Sequence, residues 1–471
     1  MKQTYTRKQL VLMVALGVIG GIMITLIGGI VALRVNPFGA SLNSLELKQA
    51  NEIISQNFYG EVDQSKIQVG AVSGAVQALG DPHSSYLSPE ETTAFRERLE
   101  SSFEGIGAMI QAVDGKIIIS DVLPDSPAQA AQLQPNDQIQ AVDGKEVGEQ
   151  SLDEVIAQVK GQAGTDVVLT IWRDGTVTDV TVTRASISQS SATTSLVVDK
   201  NDEYGYIDMR QSFGSETASE FAQVLEELGS VPTLVIDLRD NPGGYLQAVS
   251  DILGTLVNRE QPYVIVEAKD GSQTPYNSKL TEAAPYEYVI LVNENTASAA
   301  EIMTAALQQL AGAQVVGLQT YGKGTVQQQF DLVNGGVLKL TVERWLTPDG
   351  SSIDGVGVTP DIEIKPEMIY QLPRIILSDV FRVGDTDLKI LTAQYMLREL
   401  GYDIEERDGY FSETFVPVLE QFQQDVSIPV TGIIDVATAN AINQRLSEYL
   451  ADESHDVQLQ KAIELATERA S

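Results

Sequence analysis

The chain contains no cysteine among its 471 residues. Disulfides, a thiol nucleophile, thiolate metal sites and a lipidated N-terminal cysteine are therefore all excluded. Histidine is almost as scarce, with only His83 and His455. Neither a two-histidine zinc helix nor a three-histidine site can be assembled from them, so no metal and no cofactor is expected. Positive charge is also in short supply: 31 Lys and Arg face 65 Asp and Glu, a net charge of −34. Lys2, Arg7, Lys8 and Arg34 are the only charged residues in the first 34, which leaves −38 on residues 35–471. So acidic a body repels phosphate backbones, and a nucleic-acid partner is not expected.

The chain is too long for one ordinary core, and three or more domains are expected. Apolar residues make up 43% and charged residues 20%, a balance that folds. Leu10 to Leu33 are 24 consecutive uncharged, mostly apolar residues. As a helix they reach about 36 Å, enough to cross a hydrocarbon core of about 30 Å. Lys2, Arg7 and Lys8 precede the run and only Arg34 follows closely, which puts the N-terminus in the cytoplasm and the acidic body outside. The run exceeds a signal-peptide core of about 7–15 residues, and no small-x-small cleavage site follows it. An uncleaved, single-pass anchor in the cell membrane is expected, a cleaved signal peptide being the alternative. Either way the body is exported.

Beyond the anchor, residues 41–97 read as helical, with Leu45, Leu47, Ile53 and Ile54 in one stretch and Ile67, Val69, Val72, Val76 and Leu79 in the next. Gly80-Asp81-Pro82 stops the second. From Ser102 short β-branched strands separated by Asp-Gly and Pro turns take over, at 116–119, 167–172 and 177–182, with one helix at 151–159. Residues 195–345 alternate strand and helix: strand 233–238 leads to helix 245–257, and strand 288–292 to a helix from Ser298 to Leu310. That is α/β organisation around a buried sheet. Residues 385–449 read as helical with two Gly turns, and the last twenty as a polar tail or loose helix.

Ser298 sits among small residues at a helix start, where unpaired amides and the helix dipole favour developing negative charge. A serine at that place is also the commonest kind of helix cap. A serine nucleophile needs a base. Both histidines are badly placed for it, His455 in the polar tail and His83 behind a turn. Lys323, flanked by Gly322 and Gly324, can serve if burial lowers its pKa; as an exposed hairpin lysine it would not. Period-2 alternation sets Lys323, Thr325 and Gln327 on one strand face, so Gln327 is a candidate to orient the amine. The Gly-rich turn after strand 233–238 can point amides into a cleft, or merely be a tight connection.

Three segments together, Asp237-Leu-Arg-Asp-Asn-Pro-Gly-Gly244, Thr296-Ala-Ser-Ala-Ala-Glu-Ile302 and Tyr321-Gly-Lys-Gly-Thr-Val-Gln327, resemble the carboxy-terminal processing peptidases, or tail-specific proteases. Their order and spacing fit that family from about residue 45 to 365. The resemblance implies that Ser298 is the nucleophile, Lys323 the general base and Gln327 its positioning residue, with the amides of Gly244 and Ala299 forming an oxyanion hole. Asp81-Pro-His-Ser-Ser-Tyr-Leu87 also looks like a family signature, read as structural. Residues 103–184 resemble the PDZ domain that the family inserts before its protease core. Glu104-Gly-Ile-Gly-Ala-Met-Ile110 matches its carboxylate-binding loop, which gives Gly105, Ile106, Gly107 and Ala108 as binders of a substrate's C-terminus. Arg173 is a candidate sensor of PDZ occupancy, or a solvated strand arginine.

Leu391 to Tyr402, Asp408-Gly-Tyr-Phe411, Phe422-Gln423 and Thr431-Gly-Ile-Ile-Asp435 resemble a small helical peptidoglycan-binding domain. Homodimerisation or substrate presentation are its alternative roles. The implied architecture is multidomain α/β: an N-terminal transmembrane helix, a PDZ domain inserted in a crotonase/Clp-like α/β serine protease core, and a small C-terminal α-helical bundle. The expected boundaries are 1–36 for the cytoplasmic tip and anchor, 37–98 for the helical segment, 99–186 for the PDZ domain and 187–372 for the protease core. A linker over 373–385, the peptidoglycan-binding-like domain over 386–450 and the polar tail over 451–471 complete the chain. The implied activity is that of an extracytoplasmic serine endopeptidase on the bacterial cell surface, acting on proteins with a free, apolar C-terminus.

Overall fold

The computed structural model describes residues 44–89, 91–92, 102–148, 150–173, 175–188, 193–195, 204–377 and 379–470. The apolar run Leu10–Leu33 lies outside them, and no helix among the described residues is long and apolar enough to cross a membrane.

Helices α1 (Ser44–Asn57) and α2 (Gln64–Gln77) belong to a first unit that ends at Ala78. Asp63 starts α2 by accepting from the amides of Ser65 and Lys66, two donors the helix itself cannot satisfy. Gln64 ties back to Asn51 and Ser55 of α1. The helical pattern expected over 41–97 is interrupted rather than continuous: residues 89 and 91–92 are helical again, and 93–97 lie outside the described residues. Beyond the Gly80-Asp81-Pro82 turn the chain becomes strand β1 (Ser85–Leu87), which pairs with residues 337–339 of the second unit. Proline disfavours helix at the residue before it, and Tyr86 gains a buried position in a sheet instead.

Strands β2 (Ala108–Val113), β3 (Lys116–Val122), β4 (Gln138–Val142), β5 (Asp166–Arg173) and β6 (Thr176–Thr183) form an antiparallel sheet in that order. The strands expected at 116–119, 167–172 and 177–182 fall within β3, β5 and β6. Asp114 and Gly115, both at positive φ, make the tight turn between β2 and β3. Helix α3 (Leu152–Val159) closes the module behind a Ser151–Glu154 capping box. Its apolar face packs Val155 and Val159 against Ile119, Ile139 and Leu169.

The core of the second unit is a mostly parallel sheet. Strands β7 (Tyr204–Asp208) and β8 (Thr233–Asp237) are separated by helix α4 (Thr217–Leu228), and helix α5 (Leu246–Leu256) follows β8. Strand β9 (Val264–Ala268) comes next, then β10 (Glu287–Val292), helix α6 (Ala299–Ala311) and β11 (Gln314–Gly317). The order across this sheet is 193–195, β7, β8, β10, β11, 362–363, with only the first pair antiparallel. Every residue of β8 is buried, the continuous apolar run of a strand covered on both faces. Leu234 and Ile236 face α4, α5 and α6, while Val235 faces the opposite way.

A second, antiparallel sheet carries β12 (Thr325–Asp331) and β13 (Val337–Leu346). The strand β13 binds β12 along one edge and β1 and β9 along the other. Helices α7 (Leu388–Glu399), α8 (Val416–Asp425) and α9 (Val436–Ala451) then form a bundle around Leu397, Phe411, Phe422 and Ile442.

Of the two readings of the last twenty residues, tail or loose helix, the chain adopts the helix, and the helix is packed. Residues Val457–Ala470 form helix α10, which lays Leu459, Ala462, Leu465 and Ala466 on Val235, Val289, Leu291 and Val316. The outer face of the parallel sheet would otherwise lie open, and each buried leucine stabilises the cover by about 2 kcal/mol. His455, expected in that tail, stacks on the Tyr449 ring just before α10.

Candidate active site

Ser298 closes the loop from β10 and immediately precedes α6. Its backbone has φ +56° and ψ −118°, whereas an ordinary capping serine is extended. A side chain in that region costs about 1–3 kcal/mol, so the surroundings must enforce it.

Glu301 supplies the enforcement. Its side chain is fully buried, and Oε2 accepts from the amides of Ser298 (2.8 Å) and Lys323 (2.9 Å). The other oxygen accepts from the Gly322 amide (2.7 Å) and the Thr320 hydroxyl (2.5 Å). One carboxylate thus fastens the candidate nucleophile's backbone to that of the candidate base. Sequence reasoning missed this residue, although Ser-x-x-Glu at a helix start is a capping-box spacing.

Lys323 leads into β12, and its carbonyl accepts from Trp345 Nε1 at 2.9 Å. Burial is the largest influence on its ammonium and holds its pKa below the ordinary lysine value, with repulsion from Lys339 adding to the shift; Glu301 and Asp81 pull the other way. Lys339 on β13 is lowered by burial as well, against the attraction of Asp81. Asp81 is held by the Ser84 hydroxyl and the His83 amide, and Ser84 Oγ accepts from the Thr341 amide. The Asp81–Leu87 signature therefore stands beside the candidate site as well as building β1. Gln327 donates from Nε2 to Thr325 (2.9 Å) and Thr341 (3.2 Å), and makes no hydrogen bond to Lys323 among the described residues.

The turn after β8 meets Ser298 through Gly243. A Cβ built on Gly243 would lie 2.8 Å from Ser298 Cβ and 2.9 Å from the Ala299 nitrogen. On Gly244 it would lie 2.2 Å from the Phe213 carbonyl oxygen. Both glycines have positive φ, so the close approach needs residues without side chains. Asn241 sets the turn, its Oδ1 accepting from Gly243 N and its carbonyl from Ala297 N. Ala299 is the first residue of α6, so its N–H has no partner within the helix. Gly243, which the sequence reading did not single out, is the glycine in contact with Ser298; Gly244 packs on the Phe213 backbone, and Ala299 follows Ser298 in the chain.

Gly105, Ile106, Gly107 and Ala108 line an apolar groove of about 280 Å³ whose far wall is Ile156 and Val159 of α3. Gly107 has φ +75°, and a Cβ there would fall 2.3 Å from Ser126 Cβ. Arg173 is not a free strand arginine: it pairs with Asp137 through Nε–Oδ1 (2.5 Å) and Nη2–Oδ2 (2.6 Å) and donates to the Gln132 carbonyl. The neighbouring Asn136 is buried against the bundle, its Oδ1 accepting from the Leu377 amide, while Asn440 donates to the Pro135 carbonyl. No cluster suited to a metal ion occurs among the described residues.

Residues 203–364 match the model of peptidase family S41, 105–183 that of the PDZ domain, and 386–442 a peptidoglycan binding domain. Residues 39–92 match the N-terminal domain of the activating protease CtpB. The chain is 36% identical to the carboxy-terminal processing protease CtpB of Bacillus subtilis over 89% of its own length and 88% of the relative's. It is 34% identical to CtpA of the same organism, over 89% of each chain. Among solved structures, a photosystem II D1 C-terminal processing protease is 25% identical, covering 71% of this chain and 95% of its own at a TM-score of 0.44. The chain belongs to the S41 peptidases, as a serine-type carboxy-terminal processing protease that carries PDZ and peptidoglycan-binding domains.

Proposed function

We propose that this peptidase is an anchored, extracytoplasmic endopeptidase working through a Ser298–Lys323 dyad on proteins presented by their C-terminal ends. The observation that carries the dyad is the Glu301 carboxylate, which holds the backbones of both residues while Ser298 stays in a strained conformation. Neutral Lys323 takes the proton from Ser298 Oγ as that oxygen attacks the scissile carbonyl. The amides of Gly244 and Ala299 meet the charge that develops on the carbonyl oxygen. Lysine then returns the proton to the leaving amine, and water activated by the same amine hydrolyses the Ser298 ester. Gln327, fixed on Thr325 and Thr341, is the orienting neighbour on that strand face.

The PDZ groove takes the free carboxylate at the Gly105–Ala108 loop and an apolar last side chain between Ile106 and Val159. Arg173 is the candidate link between the occupied groove and the site. Residues 1–36 anchor the chain with the acidic body outside the membrane. In this reading the α7–α9 bundle, which matches a peptidoglycan binding domain, binds the cell wall.

A Ser298→Ala protein should bind an unstructured peptide with a free apolar C-terminus and leave it intact. Robust cleavage by that variant would end the dyad reading, and a wild-type protein that binds without cleaving would mark a scaffold. Amidating the peptide's C-terminus should lower kcat/KM by about tenfold or more through loss of the charged hydrogen bonds to the loop. Equal rates for acid and amide would exclude the Gly105–Ala108 loop as the docking point.

A further inference from the structure

Helix α10 covers the parallel sheet, and its first turn also reaches the segment that leads to the oxyanion glycines. Asp456 divides its carboxylate between two tasks. Its Oδ1 accepts from the amides of Gln458 (3.1 Å) and Leu459 (3.0 Å), capping the helix. Its Oδ2 lies 2.7 Å from Nη1 of Arg239. Gln458 Oε1 accepts from the same Nη1 at 3.2 Å, and Gln458 Nε2 donates to the Ile364 carbonyl at 2.7 Å. The remaining edge of the guanidinium is bound to Asp237 through Nε–Oδ1 (2.9 Å) and Nη2–Oδ2 (2.6 Å). Tyr206 donates to Asp237 Oδ2 at 2.9 Å. Burial and the Asp237 charge push the tyrosine pKa up, so it remains a donor.

This cluster is largely dry: the side chain of Arg239 is 11% exposed, that of Asp456 13% and that of Asp237 0%. Removing one partner from a buried ion set leaves the other charge uncompensated, so the arginine has one preferred position. Asp237 is the last residue of β8, and the turn to Gly244 starts directly after it. Past Arg239, Asp240 N donates to Asn293 Oδ1, and Asn241 binds both Ala297 N and Gly243 N. Hydrogen bonds at each end, joined by the backbone Arg239–Asp240–Asn241, therefore connect the start of α10 to the glycine against Ser298.

We propose that Asp456 and Gln458 are positioning residues for the catalytic centre, holding Arg239 and through it the turn that presents the Gly244 amide. The inference rests on the oxyanion role given to Gly244 above. It makes α10 part of the working enzyme, although the bundle separates it from the rest of the protease core in sequence.

Asp456→Asn in the full chain tests it, because asparagine keeps a capping oxygen while the charge facing Arg239 is lost. With a free-tailed peptide, kcat should fall about tenfold while KM stays within about twofold, the signature of a misplaced donor. Affinity for a peptide boronate, whose tetrahedral adduct needs the oxyanion donors, should fall by a similar factor at a temperature where the variant is fully folded. Unchanged kcat, a loss confined to KM, or a kcat loss without weaker boronate binding would each overturn the proposal. Should Asp456→Asn not fold, Gln458→Leu carries the test: kcat down about threefold at constant KM supports it, and wild-type kcat refutes it. Failure of the dyad reading appears separately, as cleavage by Ser298→Ala or none by the wild-type protein.

Discussion

Replacing Lys323 by arginine is expected to lower kcat by about 10²- to 10⁴-fold while the fold is kept, the usual range for loss of a general base. Arginine keeps a cation in place but cannot release its proton at any working pH. The site is built to make the opposite possible for lysine. Burial disfavours the Lys323 ammonium most, Lys339 repels it, and the attraction of Glu301 and Asp81 does not cancel these effects. If Lys323 is the base proposed above, the neutral amine is the active form, and the rate should rise with pH through a pKa below the ordinary lysine value of 10.5 and then level off. Lys339→Met removes a repelling charge, raises the Lys323 pKa and should move the rising limb to higher pH. A pH series of kcat/KM for the wild type and both variants checks all three expectations. A flat wild-type profile from neutral to alkaline pH would remove Lys323 from the role of base.

Much of the candidate site was legible in the chain because its residues sit in local patterns. A buried strand, a short loop and a helix start are visible around Ser298 as an apolar run followed by small residues. Glycines flanking Lys323 and ending the Asp237–Gly244 segment announce close backbone approach, and the structure shows what they approach: the 354–357 turn for Gly322 and Gly324, and Ser298, Ala299 and Phe213 for Gly243 and Gly244. The scarcity of histidine removed the commonest base and left lysine. The strain at Ser298 was not legible, because a φ of +56° leaves no trace in residue type when the residue is serine.

What the sequence hid shares one cause, namely contacts between segments far apart in the chain. β1 looks like the end of a helical stretch because its partner, Val337–Lys339, lies some 250 residues on. Asp81 then arrives near Lys323 only because β1 pairs there. The α10 segment has a helical stripe, but alanines carry half of it, and Gln, Lys and Glu between them give the composition of a solvated tail. Its burial depends on the open face of a sheet whose strands, at 193–317 and 362–363, all lie far from it in the chain. Arg173 could not be placed either, since its partner Asp137 comes from the loop before β4, well separated from it in sequence.

Glu301→Gln is expected to be nearly as damaging as loss of the dyad itself, for a reason unconnected with proton transfer. The carboxylate accepts four hydrogen bonds, from three amides and one hydroxyl, inside a fully buried position. Glutamine has almost the same shape, but its NH₂ must take one of the two oxygen positions and would face donors there. At least one amide is left unsatisfied, and the charge that strengthened the remaining bonds is gone. An unsatisfied buried donor costs about 1–3 kcal/mol, so stability should fall by about that amount. The activity loss should be larger, about 10²-fold or more in kcat, because the same bonds hold Ser298 in its strained conformation and set the entry of Lys323 into β12. Burial of Lys323 is a property of the whole pocket, yet Glu301 is also one of the charges favouring its ammonium. The variant should therefore retain a pH profile, its rising limb shifted slightly to lower pH, on a greatly reduced plateau. Thermal unfolding alongside kcat separates the two effects. Equal losses from Glu301→Gln and Glu301→Ala would show that the bonds themselves matter. Near wild-type turnover in Glu301→Gln would mean that the serine and the lysine hold their places without the carboxylate between them.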